Sequence, residues 1–231
     1  MQTTDIHPNI QILYEDENLL VVNKPSNLLS QKDATGDPDL LTLCKSYLQK
    51  KNPEKTGNPY LGLLHRLDRP VSGLMILAKT KNSAAVLSEQ IRKRKIRKVY
   101  HAVVHGEVPP NGNWVHPLKK DPQRNYVVVT TPDNKQAKVA ELSFIRVSYS
   151  QQENLSFVKI NLLTGRPHQI RVQFAAEGYP VFGDSKYGSH VNHQNKLALH
   201  SSQVMFYHPV NQKSMKLSIP PEETHPWSLF N

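Results

Sequence analysis

Four segments rich in β-branched and aromatic residues, 99–105, 126–131, 138–147 and 155–163, follow one another without a helix-length apolar period between them. This succession constrains the fold more than any other feature of the chain. Strands joined directly pair antiparallel, because a parallel pair needs a crossover of a dozen or more residues, usually a helix. A doubly wound parallel sheet is therefore disfavoured, and the sequence predicts an α+β fold with a mixed, largely antiparallel sheet and flanking helices. Ahead of these strands, two apolar runs at 10–14 and 19–23 flank the polar turn Glu15-Asp16-Glu17-Asn18 and read as a hairpin. Leu40, Leu41, Leu43, Tyr47 and Leu48 mark one helix within a polar connection spanning 30–59. Residues 74–78 form a strand-length apolar run, and 83–91 put Ala84, Leu87 and Ile91 on one helical face that leads into 92–98. A further helix is expected over 167–177, with Pro167 in its first turn and Gly178 as its C-terminal cap. Near the end Met215, Leu217 and Ile219 alternate with Lys216 and Ser218 in a strand that Pro220-Pro221 stops. No repeat divides the 231 residues, so residues 1–231 read as a single domain with room for two lobes.

Charge narrows the partners. Lys and Arg number 29 against 19 Asp and Glu, a net +10, which favours a polyanion through steering and counterion release. No stretch approaches the roughly 20 apolar residues of a membrane span. The single cysteine, Cys44, excludes internal disulfides and multi-cysteine zinc sites, and its place on an apolar helical stripe makes it a packed thiol. The opening residues, with Asp5, His7 and Pro8, show no secretory signal, so the cytoplasm is the expected compartment and the Asn154-Leu155-Ser156 sequon carries no meaning.

Three segments carry the chemistry. In Leu64-His65-Arg66-Leu67-Asp68-Arg69-Pro70-Val71-Ser72-Gly73, Asp68 sits between two cations in a constrained turn entering a strand. A neighbouring cation keeps such a carboxylate ionised, suiting it to act as nucleophile or base rather than as acid. A surface ion pair is the bland alternative. The order H-R-L-D, with no Gly-rich phosphate loop or D-F-G, excludes a kinase loop. In Thr164-Gly165-Arg166-Pro167-His168-Gln169-Ile170-Arg171, donors concentrate at a helix start, where they serve to clamp phosphate or orient a carboxylate; a solvated helix face is equally open, and the missing G-K-[ST] excludes a P-loop. The run Arg92, Lys93, Arg94, Lys95, Arg97 and Lys98 exceeds what a helix C-terminus needs and points to a nucleic-acid backbone. Behind it, Tyr100 is either a core aromatic or a stacking platform for an exposed base. His101 and His105 share one side of a strand and no H-E-x-x-H helix exists, while His190 and His193 fall in a polar loop, so no metal site is expected.

Taken in order, these segments closely resemble the RluA-type pseudouridine synthases, which isomerise selected uridines in ribosomal or transfer RNA. Val21-Val22-Asn23-Lys24-Pro25-Ser26 is similar to the family's first motif and His65-Arg66-Leu67-Asp68 with Ser72-Gly73 to its second. Lys98-Val99-Tyr100 is similar to an intermediate motif, and residues 165–171 with Gly183-Asp184 to the third. The similarity runs from about residue 10 to about residue 220. It implies that Asp68 is the catalytic aspartate, that Arg171 holds it by a salt bridge, that Tyr100 stacks on the flipped base and accepts a proton, and that Arg66 fills the gap the nucleotide leaves. His65, Arg69, Arg166, His168 and Gln169 join the basic run as expected RNA contacts. The resemblance further implies the pseudouridine synthase fold with a central RNA-binding cleft and no metal or organic cofactor. A monomer is expected, with no separate S4 domain, so that the catalytic domain or a partner selects the RNA. The H-R-L-D-R-P form is especially similar to the stand-alone TruC-like branch, which acts on transfer RNA. Val71, Pro167 and Gln173 depart from the family's usual residues without touching the implied acid, tyrosine or arginines. Two alternatives stand beside this reading: a noncatalytic RNA-binding or ribosome-assembly protein, and a hydrolase using Asp68 with His65.

Overall fold

The structure, a computed structural model, describes residues 10–54, 57–191 and 197–230. The chain forms two compact units, Met1–Ile96 with Ser201–Pro220, and Arg97–His200 with Pro221–Asn231. The α+β class expected from the sequence is what the chain adopts: eleven strands and three α-helices among the described residues.

In the first unit β1 (Gln11–Glu15) and β2 (Leu19–Lys24) form the expected hairpin. Asp16 closes it. One carboxylate oxygen accepts the backbone N–H groups of Asn18 and Leu19, both at 2.7 Å, while the other takes the Tyr14 hydroxyl at 3.0 Å and His208 Nε2 at 2.7 Å. The His208 Nδ1 accepts from Val210 and Asn211 N–H groups, so its Nε2 carries the proton it donates. β2 then pairs antiparallel with β4 (Ser72–Ala78), and the short β3 (Gly62–Leu63) also pairs with β4. β10 (Leu199–Tyr207), most of which belongs to this unit, lies on from β4 and pairs antiparallel with β11 (Ser214–Ser218). Helix α1 (Leu40–Lys51) starts on Asp39, whose side chain accepts the Thr42 N–H, and buries Leu40, Cys44 and Leu48. Helix α2 (Lys81–Arg92) starts on Thr80 in the same way. The predicted face of Ala84, Leu87 and Ile91 packs against the core, with Ala84 and Ile91 partly buried. Leu87 is fully buried, but Ser83 and Gln90 are buried with it, because the Gln90 amide exchanges two hydrogen bonds with the Tyr207 backbone. The core here packs Leu19, Val21, Leu74, Ile76, Leu87, Val204 and Phe206.

The second unit carries β5 (Arg97–His105), β9 (Leu155–Leu162), β8 (Lys138–Ser150), β6 (Asn111–Asp121) and β7 (Tyr126–Val129), in that spatial order and all antiparallel. Helix α3 (Gln169–Ala176) packs Phe174 against Trp114 and Phe144 on one sheet face. Pro167 lies outside α3, whose N-cap is His168; the expected first turn therefore starts two residues late. Gly178 follows the end of α3 at φ +86°, as a left-handed terminal residue does. Residues 111–121 and 199–207 gave no strand signal. Gly112 and Pro117 interrupt the first, yet a Cβ at Gly112 would stand 2.5 Å from the Phe144 ring, so packing selects the glycine inside a strand.

Burial raises the Asp16 carboxyl pKa, but the Asn18 amide, His208 and the other donors outweigh it and hold the value below the ordinary range. A depressed folded value means stabilisation that is complete above the usual carboxylate range and is lost as pH falls through the lower value. Urea unfolding followed across acid pH should show this loss in the wild type. Asp16→Asn should lack that pH-dependent component and should be less stable near neutrality by about 1.5–3 kcal/mol.

Candidate active site

The turn around Asp68 is held by its backbone. Ser30 Oγ donates to the Leu67 carbonyl at 2.7 Å and accepts the Leu67 N–H at 3.1 Å. Lys24 Nζ donates to the Arg69 carbonyl at 3.1 Å, and Ser26 Oγ to the Pro70 carbonyl at 2.8 Å. The Asp68 carbonyl itself accepts the Val71 N–H at 3.0 Å. Every carbonyl from residue 67 to 70 is thus engaged, and Asp68 is carried on a loop with little freedom. Gly73 closes the segment at φ +114°, where a Cβ would fall 2.4 Å from the Ser201 carbonyl oxygen, so no other residue fits.

Lys24 is the unexpected centre of this arrangement. It is 0% exposed, and its ammonium also donates to the Pro25 and Leu28 carbonyls at 2.9 and 2.8 Å, so three carbonyls match three N–H donors. Burial pushes its pKa down to about 7, with Asp68 pulling it up and Arg69 pushing it further down. Within the first motif the sequence assigns Lys24 no task; a lysine at the end of an apolar strand, followed by Pro25, is the available signal.

The neighbours of Asp68 divide. Arg66 is exposed. Arg69 does not turn to Asp68 in the way the sequence suggested: its Nη1 pairs with Asp37 at 2.7 Å and its Nε donates to the Asn27 carbonyl. His65 Nε2 accepts the Ile76 N–H at 3.1 Å, so that ring anchors the loop to β4.

In the second unit Arg171 is buried and its Nε and Nη2 grip the two Asp184 oxygens at 2.7 and 2.9 Å. Asp184 is 1% exposed, and a fully desolvated fork-to-fork pair fixes guanidinium orientation. Asp184 belongs to the third motif, and the motif alone gives it no role. Gln169 is buried: its Oε1 accepts from Thr164 Oγ1 and the Arg166 N–H, and its Nε2 donates to the Glu141 carbonyl. These contacts pin the loop ahead of α3. Arg166 Nε donates to the Val139 carbonyl. His168 takes a left-handed backbone (φ 52°, ψ 19°), which costs a residue with a side chain about 1–3 kcal/mol. Tyr100 is 6% exposed on β5, on the same sheet side as Lys98, whose ammonium burial pushes down to about 8.

Of the basic run, Arg92, Lys93, Arg94, Lys95 and Arg97 are exposed, with Arg92 and Lys93 both on Glu89. The run spans the end of α2, a turn in which Arg94 has φ 53°, and the start of β5. His193 lies outside the described residues. Cys44 is buried and its thiol is pushed up to about 12 by burial and then by Asp39, which makes it inert. Among the described residues no three His, Cys, Asp or Glu side chains converge to hold a metal ion.

Comparison with known proteins now defines the class. Residues 18–176 match the RNA pseudouridylate synthase family, and the chain belongs to it. It is an RNA pseudouridine synthase of the RluA type, an isomerase acting on RNA. The chain is 38% identical to the ribosomal large subunit pseudouridine synthase C of Buchnera aphidicola (strain APS), over 91% of this chain and 67% of that one. It is 34% identical to the dual-specificity RNA pseudouridine synthase RluA of Vibrio vulnificus, over 92% and 84%. The solved structure of human RNA pseudouridylate synthase domain containing 4 shares the fold, with a TM-score of 0.75 at 24% identity, covering 91% of this chain and 88% of that one.

Replacing Lys24 by Met keeps the side-chain length but removes the ammonium donor of three carbonyls, those of Pro25, Leu28 and Arg69. Lys24→Met should lose about 3 kcal/mol or more of unfolding free energy in denaturant titration, each orphaned acceptor costing about 1–3 kcal/mol. An unchanged midpoint would mean that the ammonium does not hold the turn.

Proposed function

We propose that the chain isomerises one or more uridines of transfer or ribosomal RNA, with Asp68 as its catalytic carboxylate. The reaction breaks the N1–C1′ bond, turns the uracil, joins C5 to C1′, moves a proton off C5 and leaves N1 protonated. A stacked base cannot do this, so the nucleotide must leave the helix, at a cost of a few kcal/mol. In this proposal RNA lies in a central cleft, the exposed Arg66 takes the vacated position, and the exposed cations Arg92, Lys93, Arg94, Lys95 and Arg97 offset extrusion through phosphate contacts. Covalent attack and proton abstraction both require Asp68 to be ionised. Arg171 is proposed as its counter-ion, and Tyr100 as the platform for the base and the acceptor of the C5 proton. The protein works as a monomer, without a metal or organic cofactor, in the cytoplasm where its RNA is found.

The observation that carries this reading is the clamped turn, which presents a single carboxylate on a backbone whose carbonyls are all engaged. Preorganisation of that kind serves a reacting group and is excessive for a surface ion pair. The names of the relatives support the substrate class: one acts on the ribosomal large subunit and another is described as dual-specificity.

Pseudouridines should be mapped in transfer and ribosomal RNA from cells lacking the gene, complemented with wild type or Asp68→Asn. At least one position should lose its modification and regain it only with wild type. Recovery with Asp68→Asn would remove that residue from its proposed role, and the positions lost identify the RNA.

A further inference from the structure

Tyr187 lies in a short 3-10 turn at Ser185–Tyr187, three residues after Asp184, and is 6% exposed. Its ring stands over Arg171, with the guanidinium carbon 5.1 Å from the ring centroid, and Tyr126 packs at 4.7 Å between centroids. Its hydroxyl oxygen accepts the Val127 N–H at 3.0 Å and lies 2.7 Å from His168 Nδ1. These are the two hydrogen bonds of that hydroxyl among the described residues.

Proton counting orders the pair. The backbone N–H of Val127 can only donate, so among the described residues His168 Nδ1 is the one partner able to take the phenolic proton, and the hydroxyl uses its donor as well as an acceptor only when Nδ1 is the unprotonated nitrogen. In that arrangement His168 carries its ring proton on Nε2. Burial raises the phenol to about 12, so Tyr187 keeps the proton it donates throughout the working pH range. The same bond tethers a residue whose left-handed backbone is strained, and strain of this kind persists only where neighbours over-determine the conformation. One side chain therefore touches the buried arginine of the G-R-P-H-Q-I-R segment through its face and the histidine through its oxygen.

We propose that Tyr187 is a positioning residue of the isomerisation: its hydroxyl fixes the tautomer and direction of His168, and its ring fixes Arg171, before RNA arrives. This rests on the reading that places His168 and Arg171 in the working site. The hydroxyl acts through His168, so its effect disappears when His168 is absent.

The test is a double-mutant cycle on kcat/KM for pseudouridine formation in the RNA identified by mapping, using wild type, Tyr187→Phe, His168→Ala and the double variant. Tyr187→Phe should lose about tenfold in the His168 background, since small misplacements cost one to two orders of magnitude, and less than about twofold in the His168→Ala background. Equal losses in both backgrounds, the result of a purely structural role, would overturn the proposal. So would a Tyr187→Phe variant as active as wild type beside an impaired His168→Ala. A fully active His168→Ala would instead overturn the placement of His168 in the site, and this proposal with it. A measurement on the wild type needs no variant to fold: ring nitrogen shifts of His168 should show the Nε2–H tautomer, and a protonated Nδ1 would refute the assignment.

Discussion

The carbonyls of residues 67 to 70 all have donors, and the rest of the proposed site depends on that. A carboxylate that must meet one sugar atom needs a backbone that does not wander, and a loop ordinarily supplies the opposite. Here a buried ammonium, two hydroxyls and one turn hydrogen bond supply the order. The arrangement also explains why a charged lysine is tolerated at 0% exposure. Its three donors are all satisfied, and the Asp68 charge opposes the fall in its pKa.

The second unit solves a similar problem with a charge pair. Arg171 and Asp184 are both buried, and removing one partner of such a pair costs about 3–5 kcal/mol because the other is stranded. The loop after Val181 is built to keep Asp184 where it is. Its carbonyl accepts the Tyr187 and Ser189 N–H groups, and Ser189 Oγ accepts from Gly183. An arginine oriented in this way is a preformed anion partner that needs little reorganisation when it is used.

Much of this was legible in the sequence, for physical reasons that differ by element. The β1–β2 hairpin and the strands at 99–105 and 155–162 announce themselves because alternation and β-branching report a half-buried pleat directly. The Asp68 turn was legible because Arg, Pro and Gly around an aspartate restrict the backbone in recognisable ways. The strand at 111–121 was hidden by Gly112 and Pro117, whose fitness depends on the Phe144 ring and on contacts that local pattern does not carry. Gln169 reads as one donor among several at a helix start, and local pattern does not carry its bonds to Glu141 and Thr164. The contacts of Lys24 and Tyr187 are not legible locally, although Lys24 stands out as a lysine at the end of an apolar strand, since each reaches partners distant in sequence: Arg69 for the first, Val127 and His168 for the second.

The account stands or falls on one ionised oxygen pair acting on a uridine. Purified wild type and Asp68→Asn, incubated with RNA carrying tritium at uridine C5, report it directly, because joining C5 to the sugar expels that label. Release by the wild type and none by Asp68→Asn, with both proteins folded and binding RNA alike, is the predicted result; equal release by the two would contradict the account.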